Sequence, residues 1–137
     1  MEYVNVELVL DGSSGSPRLE ANMAHLMQEV FNLWKAKQKS YGPHNISTFG
    51  LKGVVVRLWD KMQRIVRLTW LEMDNPLQNE TIRDTLLDIA DYGLIATLVY
   101  DGKWPKSEVA IETIGDSDAT TDRSKYSYDS LLLRKVK

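Results

Sequence analysis

Four carboxylates share one stripe of a helix that is otherwise apolar. In the stretch ETIRDTLLDIADYG, a rotation of about 100° per residue puts Asp84, Asp88 and Asp91 at roughly 40°, 80° and 20° from Glu80. Ile82, Leu86, Leu87, Ile89, Ala90 and Leu94 cover most of the remaining surface, and Ile95 and Leu98 continue the acidic quadrant as an apolar one. A solvated face does not normally run into an apolar stripe. Hard cations such as Mg²⁺ take carboxylate oxygens, usually one or two per ion, with waters and substrate phosphates completing the shell. Water activated by such an ion or by a carboxylate is a nucleophile for phosphorus.

The preceding helical stretch offers the complementary charge. Arg57, Lys61 and Arg64 stand at i, i+4 and i+7, one cationic face. Two explanations fit the pair of faces. Lys and Arg could neutralise phosphate charge that a metal does not reach. Or the two helices could simply pair in interhelical salt bridges, as structural ion-pair networks do. The pattern leaves both open, although four acids on an apolar helix are costly to bury without cations. On an earlier helix Glu29 and Asn32 sit one turn apart, with Glu29 at the edge of an apolar face; a solvated surface acid is the competing explanation. His25 and His44 lack a partner at metal-ligand spacing. Neither G-x-x-x-x-G-K-[ST] nor G-x-G-x-x-G occurs, so a P-loop or dinucleotide fold is unsupported.

The elements that must position these groups are helical. Ser16 caps a first helix with Pro17 at its first position, running to about Lys39. Met23, Leu26, Met27, Val30, Phe31, Leu33 and Trp34 give it one broad apolar face. YGPHNISTFG reads as a loop broken by Gly42 and Pro43. A second helix covers about Lys52 to Leu71, with Val55, Leu58, Trp59, Met62, Ile65, Val66 and Trp70 on its apolar arc. EMDNPLQN breaks the chain again, and Asn79 is the expected N-cap of the third helix, which reaches about Tyr100. YVNVELVL, residues 3–10, alternates like a short strand, and EVAIETI in the tail reads as another. The expectation is therefore a mainly α fold, a bundle of about three to five helices with short β segments at both ends. One domain spans 1–137: an amino-terminal strand and linker (1–15), a helical core (16–104) and a carboxy-terminal extension (105–137).

The composition bounds the rest. The 137 residues are 43% hydrophobic, enough for one core, and the net charge of −2 offers no basic field for nucleic acid. With no cysteine there is neither a disulfide scaffold nor a thiolate zinc site. No apolar run approaches the roughly 20 residues of a membrane span, and MEYVNVELVLDG lacks the basic start of a signal peptide. A cytoplasmic protein with no membrane partner is expected.

KSYGPHNISTFGLKGVVVRLWDKMQRI, followed by NETIRDTLLDIADYGLIATLV, resembles a group of small phage and bacterial proteins. These are the nucleotide-modification-associated, or dATP/dGTP diphosphohydrolase-like, domains. The carrying pieces are Lys-x-Tyr-Gly, Asn-Ile, Gly-Leu-x-Gly, Arg-Leu-x-Asp-Lys and the acid-rich helix, and the resemblance spans Glu29 to Trp104. That group is in turn similar to the MazG-like all-α nucleoside triphosphate pyrophosphohydrolases. There, E-x-x-E and E-x-x-D motifs bind Mg²⁺ and a dNTP is cleaved to dNMP and pyrophosphate. Asp88-Ile-Ala-Asp91 matches the second motif with Asp for Glu; Glu29-Val-Phe-Asn32 is the nearest match to the first, with Asn in place of one acid.

The resemblance implies a Mg²⁺-dependent (or Mn²⁺-dependent) pyrophosphohydrolase acting on a deoxynucleotide, a purine one among the candidates, in the host cytoplasm if the chain is phage-encoded. Asp88, Asp91 and Glu29 would hold metal, with Glu29, Glu80 and Asp84 as catalytic acids. Lys39, Lys52, Arg57, Lys61 and Arg64 would bind phosphates, and Tyr41, Asn45 and Phe49 would line a base pocket. A homo-dimer or homo-tetramer is implied as well. The alternative is a phage protein that binds a nucleotide, or a nucleotide-derived signal, without turning it over.

Overall fold

A computed structural model describes residues 4–106 of the chain, in four helices. They are α1 (Pro17–Tyr41), α2 (His44–Ser47), α3 (Gly50–Thr69) and α4 (Ile82–Tyr100), so the fold is mainly α as expected. The chain divides into two units at Lys106–Ser107, and all four helices belong to the first.

Each boundary has a local cause. The Ser16 hydroxyl accepts from the Leu19 N–H at 3.2 Å and caps α1. Glu20 then reaches back and accepts from the N–H groups of Gly12 (2.8 Å) and Ser14 (3.0 Å), which ties the glycine- and serine-rich linker to the first turn. The helix ends at Tyr41, where Gly42 takes a φ of 70° that an L side chain rarely adopts.

The stretch expected as a loop contains one helical turn, α2. The Thr48 hydroxyl donates to the His44 carbonyl at 2.6 Å, and Ser47 donates to the Pro43 carbonyl at 3.0 Å. These local bonds favour a turn where the Gly and Pro signals alone suggested irregular chain. α3 then starts at Gly50, earlier than Lys52. Its Gly53 is needed for space: a Cβ there would lie 2.6 Å from the Cβ of Phe49.

The cap of α4 is Thr81, not Asn79. Its hydroxyl accepts from the Asp84 N–H while the Asp84 carboxylate accepts from the Thr81 N–H, a complete capping box.

α3 packs along α4, and α1 meets α4 over a shorter stretch. The core between them is Ile46, Val54 and Ile95, surrounded by Trp34, Leu58, Tyr92, Ala96, Val99 and Trp104. Val30 is the one fully buried member of the expected apolar face of α1. Met23, Met27 and Phe31 on α1, and Val55, Trp59 and Met62 on α3, remain largely exposed. Residues 4–10 form no strand, because a strand needs a hydrogen-bonded neighbour and no described residue supplies one. The strand expected in EVAIETI lies outside the described residues. Among those described, no helix is long and apolar enough to cross a membrane.

Candidate functional site

One face of α4 meets α1, α2 and α3 around a cavity of about 520 Å³, within the roughly 300–1,000 Å³ usual for small-molecule sites. α1 contributes Trp34, Lys37, Gln38 and Tyr41; α2 contributes Asn45 and Ile46; α3 contributes Arg57 and Lys61. α4 contributes Asp88, Asp91, Tyr92 and Ile95, and Glu80 enters from the segment before it. Trp34–Gln38–Tyr41 are spaced one turn apart, so a single stripe of α1 faces the cavity.

Charges of opposite sign alternate along the wall. Lys37 Nζ contacts Asp88 Oδ1 and lies 4.0 Å from Asp91 Oδ2. Lys61 Nζ is 2.9 Å from both Asp88 Oδ2 and Glu80 Oε1. Arg64 Nε is 3.7 Å from Glu80 Oε1 and donates to Thr85 Oγ1 at 3.0 Å, while its Nη2 donates to Asn75 Oδ1 and to the Glu80 carbonyl. Arg64 is therefore a clamp on the α3–α4 connection. It fixes where Glu80 stands rather than facing the cavity itself.

The two aspartates titrate in opposite directions. Burial opposes the charged form of Asp88, but the hydrogen bonds from Lys37 and Lys61 outweigh it and hold its pKa below the ordinary value. Burial raises the pKa of Asp91; Lys37 offsets part of that, and the negative Asp88 adds to it. The hydrogen bond from Lys61 lowers the pKa of Glu80. Lys61 is desolvated, yet Asp88 and Glu80 more than compensate, and its pKa is raised.

Three buried polar atoms have no hydrogen-bond partner among the described residues: Trp34 Nε1, Asn45 Oδ1 and Asp91 Oδ1. All three belong to residues that line this cavity. A buried donor or acceptor left unmatched costs about 1–3 kcal/mol, so such groups cluster where something else supplies the match.

The structure brings together Tyr41, Asn45, Arg57, Lys61, Glu80, Asp88 and Asp91 of the residues singled out in the sequence. Others stand elsewhere. Glu29 does not reach the interior: its two oxygens accept from Arg83 Nη1 and Nη2 at 2.5 and 2.7 Å on the exposed side of α1 and α4. Asp84 is engaged in the capping box. Lys39, Lys52 and Phe49 are exposed away from the cavity: helical rotation carries the two lysines off the facing stripe, and Phe49 lies in the turn between α2 and α3. Trp34, Lys37, Gln38 and Tyr92 were missed. The one-turn spacing from Trp34 to Tyr41 was the available signal for Gln38, but nothing in the spacing distinguishes Lys37 from the neighbouring solvated lysines.

Few donors are available for a cation. Among the described residues no group of three or more His, Cys, Asp or Glu side chains converges as a cage. Asp88 and Asp91 stand one turn apart on the same face, and Asp91 Oδ1 is a buried oxygen without a partner. Two carboxylates are what Mg²⁺ takes from a protein when phosphate oxygens complete its shell. Asp88 and Asp91 could hold a hard cation here once it displaces an ammonium, since Lys37 and Lys61 meet both oxygens of Asp88. The chain matches no family model, no curated protein and no solved structure.

Proposed function

We propose that this cavity binds a deoxynucleoside triphosphate and that the chain hydrolyses it to the monophosphate and pyrophosphate with Mg²⁺. The observation that carries the reading is the set of unmatched polar atoms of Trp34, Asn45 and Asp91 around one cavity that also holds Lys37, Arg57 and Lys61. Trp34, Tyr41 and Tyr92 offer ring faces for a base, and Gln38 and Asn45 offer amides for its edge. Arg57 and the two lysines suit phosphate oxygens. Asp88 and Asp91 are the residues to hold the ion, which would supply Lewis-acid polarisation of phosphorus. Glu80 is the remaining acid in the cavity and the one to orient water. In the overall reaction the bond from the α-phosphorus to its bridging oxygen breaks, water supplies the new oxygen, and pyrophosphate leaves.

Incubation of the pure chain with each dNTP and Mg²⁺ is the test. Release of pyrophosphate from at least one of them is expected, and release from none ends the catalytic reading.

A non-catalytic nucleotide binder is favoured by one specific fact: both oxygens of Asp88 are already neutralised by lysines. It requires tight dNTP binding, unaffected by chelator, without turnover. Self-association belongs to the proposal too, in a cytoplasmic dimer or tetramer. The exposed Met23, Met27, Phe31, Val55, Trp59 and Met62 give it apolar surface to bury. A monomer mass by sedimentation at micromolar concentration would count against that part.

A further inference from the structure

We propose that Lys37 is the resident counter-cation of the Asp88–Asp91 pair: its ammonium fills the ion position between them, is displaced by a divalent ion, and then serves ligand phosphate. This rests on the reading of the cavity given above.

Lys37 comes from α1, while both aspartates come from α4, so its contact with them crosses the cavity. The ammonium sits against Asp88 Oδ1 and within 4.0 Å of Asp91 Oδ2, bridging two carboxylates one helical turn apart. A single positive charge in that place leaves the site incompletely met. Lys61 takes the second oxygen of Asp88, but Asp91 Oδ1, on a residue only 3% exposed, has no partner among the described residues. Lys37 is the one ammonium that reaches both carboxylates, and in its place a divalent ion satisfies them better, because the ion carries twice the charge and accepts oxygens from several directions.

Lys37 and Lys61 differ in what binds them. Lys61 is held at 2.9 Å by two acids that it links, Glu80 and Asp88. Lys37 has one close partner, retains a third of its side-chain exposure, and rests 5.9 Å from the centre of the Tyr92 ring. A lysine is a point charge on a flexible four-carbon stem, so it can leave one anion for another without rearranging its helix. The acceptor open to it is a phosphate in the same cavity. Lys61 stays and keeps Asp88 anchored.

The test compares wild type with Lys37→Met and Lys37→Gln, using Mn²⁺ alone and inorganic pyrophosphate as probes. Mn²⁺ binding is read by electron paramagnetic resonance and by the rise in melting temperature it causes. Both variants are expected to bind Mn²⁺ at least tenfold more tightly than wild type and to gain more melting temperature from it. Their pyrophosphate affinity in the presence of Mn²⁺ is expected to fall about tenfold. Asp91→Asn should abolish the Mn²⁺ gain in the Lys37→Met background. Unchanged or weaker Mn²⁺ binding in both Lys37 variants overturns the proposal, as does undiminished pyrophosphate binding. The two ideas fail separately: pyrophosphate release from dNTPs by wild type tests the reaction, whereas Mn²⁺ affinity without nucleotide tests Lys37.

Discussion

Asp84 and the Asp88–Asp91 pair, on one stripe of α4, have opposite fates. At its start, Asp84 completes the capping box with Thr81, and next to it Arg83 holds Glu29 on the surface. One turn later, Asp88 is shared between lysines from two other helices, and after two turns Asp91 is buried with one oxygen unmatched among the described residues. The sequence distance is small and the chemistry is the same. What differs is the supply of partners. A helix start has free N–H groups within reach of a carboxylate, so an acid there is satisfied locally. In the middle of a helix every N–H is already used, and an acid must find a cation from another element or stay unmet.

That contrast can be broken experimentally, and the largest effect belongs to the unmet end. On the proposed function, Asp91→Ala is expected to lower pyrophosphate release at least about tenfold, since loss of even an outer partner of a metal ligand costs about 10–100-fold. A change under threefold would remove Asp91 from the reaction.

Stability separates Asp88 from Asp91. Asp88→Asn leaves Lys37 and Lys61 beside a neutral amide and is expected to cost about 1–2 kcal/mol in metal-free urea unfolding at neutral pH, a value reduced from that of fully buried pairs by the exposure of the lysines. Asp91→Asn is expected to leave the metal-free fold as stable or more so, because burial and the adjacent Asp88 disfavour its charge. Equal losses in the two variants would erase the distinction.

The acid limb of the stability curve shows the same opposition. The lowered pKa of Asp88 stabilises the fold above the ordinary 3.8 and ceases to do so as pH falls through the folded value. Asp91 runs the other way: its stability contribution is lost as pH rises from the ordinary 3.8 through its raised folded value. Asp91→Asn should therefore steepen the net gain in stability with pH just above 3.8, and Asp88→Asn should flatten the gain just below 3.8. Unfolding midpoints measured from pH 3 to 7 give the slopes.

The smallest effects lie at the satisfied end. Thr81→Ala should cost about 1 kcal/mol through the lost cap while pyrophosphate release per folded molecule stays at the wild-type level. Glu29→Gln should change neither, because its pair with Arg83 is exposed. A loss of release in Glu29→Gln would return that acid to the reaction.

Much of this was legible in the chain. The helices follow from apolar spacing, and the complementary charge of α3 and α4 was visible from Arg57, Lys61 and Arg64 opposite the acids. Thr81-x-x-Asp84 is itself a capping pattern, but Asn79 is an equally good cap residue two positions earlier, and the spacing of Asp84 also fits the acidic stripe. Rotation about a helix axis places a side chain on a face but says nothing of how far it reaches or which neighbour it meets. Arg64 shares the cationic face of Arg57 and Lys61 in the sequence, whereas in the fold Asn75 and the Glu80 carbonyl hold it in the connection. Lys37 was illegible because its partners lie on α4, more than fifty positions along the chain.

The indole of Trp34 borders the cavity, stands edge-on to Trp104 with ring centres 6.4 Å apart, and the Trp104 N–H is fixed to the Pro43 carbonyl at 3.0 Å. Two chromophores in that arrangement exchange excitation, and one of them faces whatever enters. The pair is thus an intrinsic optical probe of the cavity: a ligand that fills it is expected to change near-ultraviolet dichroism and the Trp34 share of the emission without any attached dye.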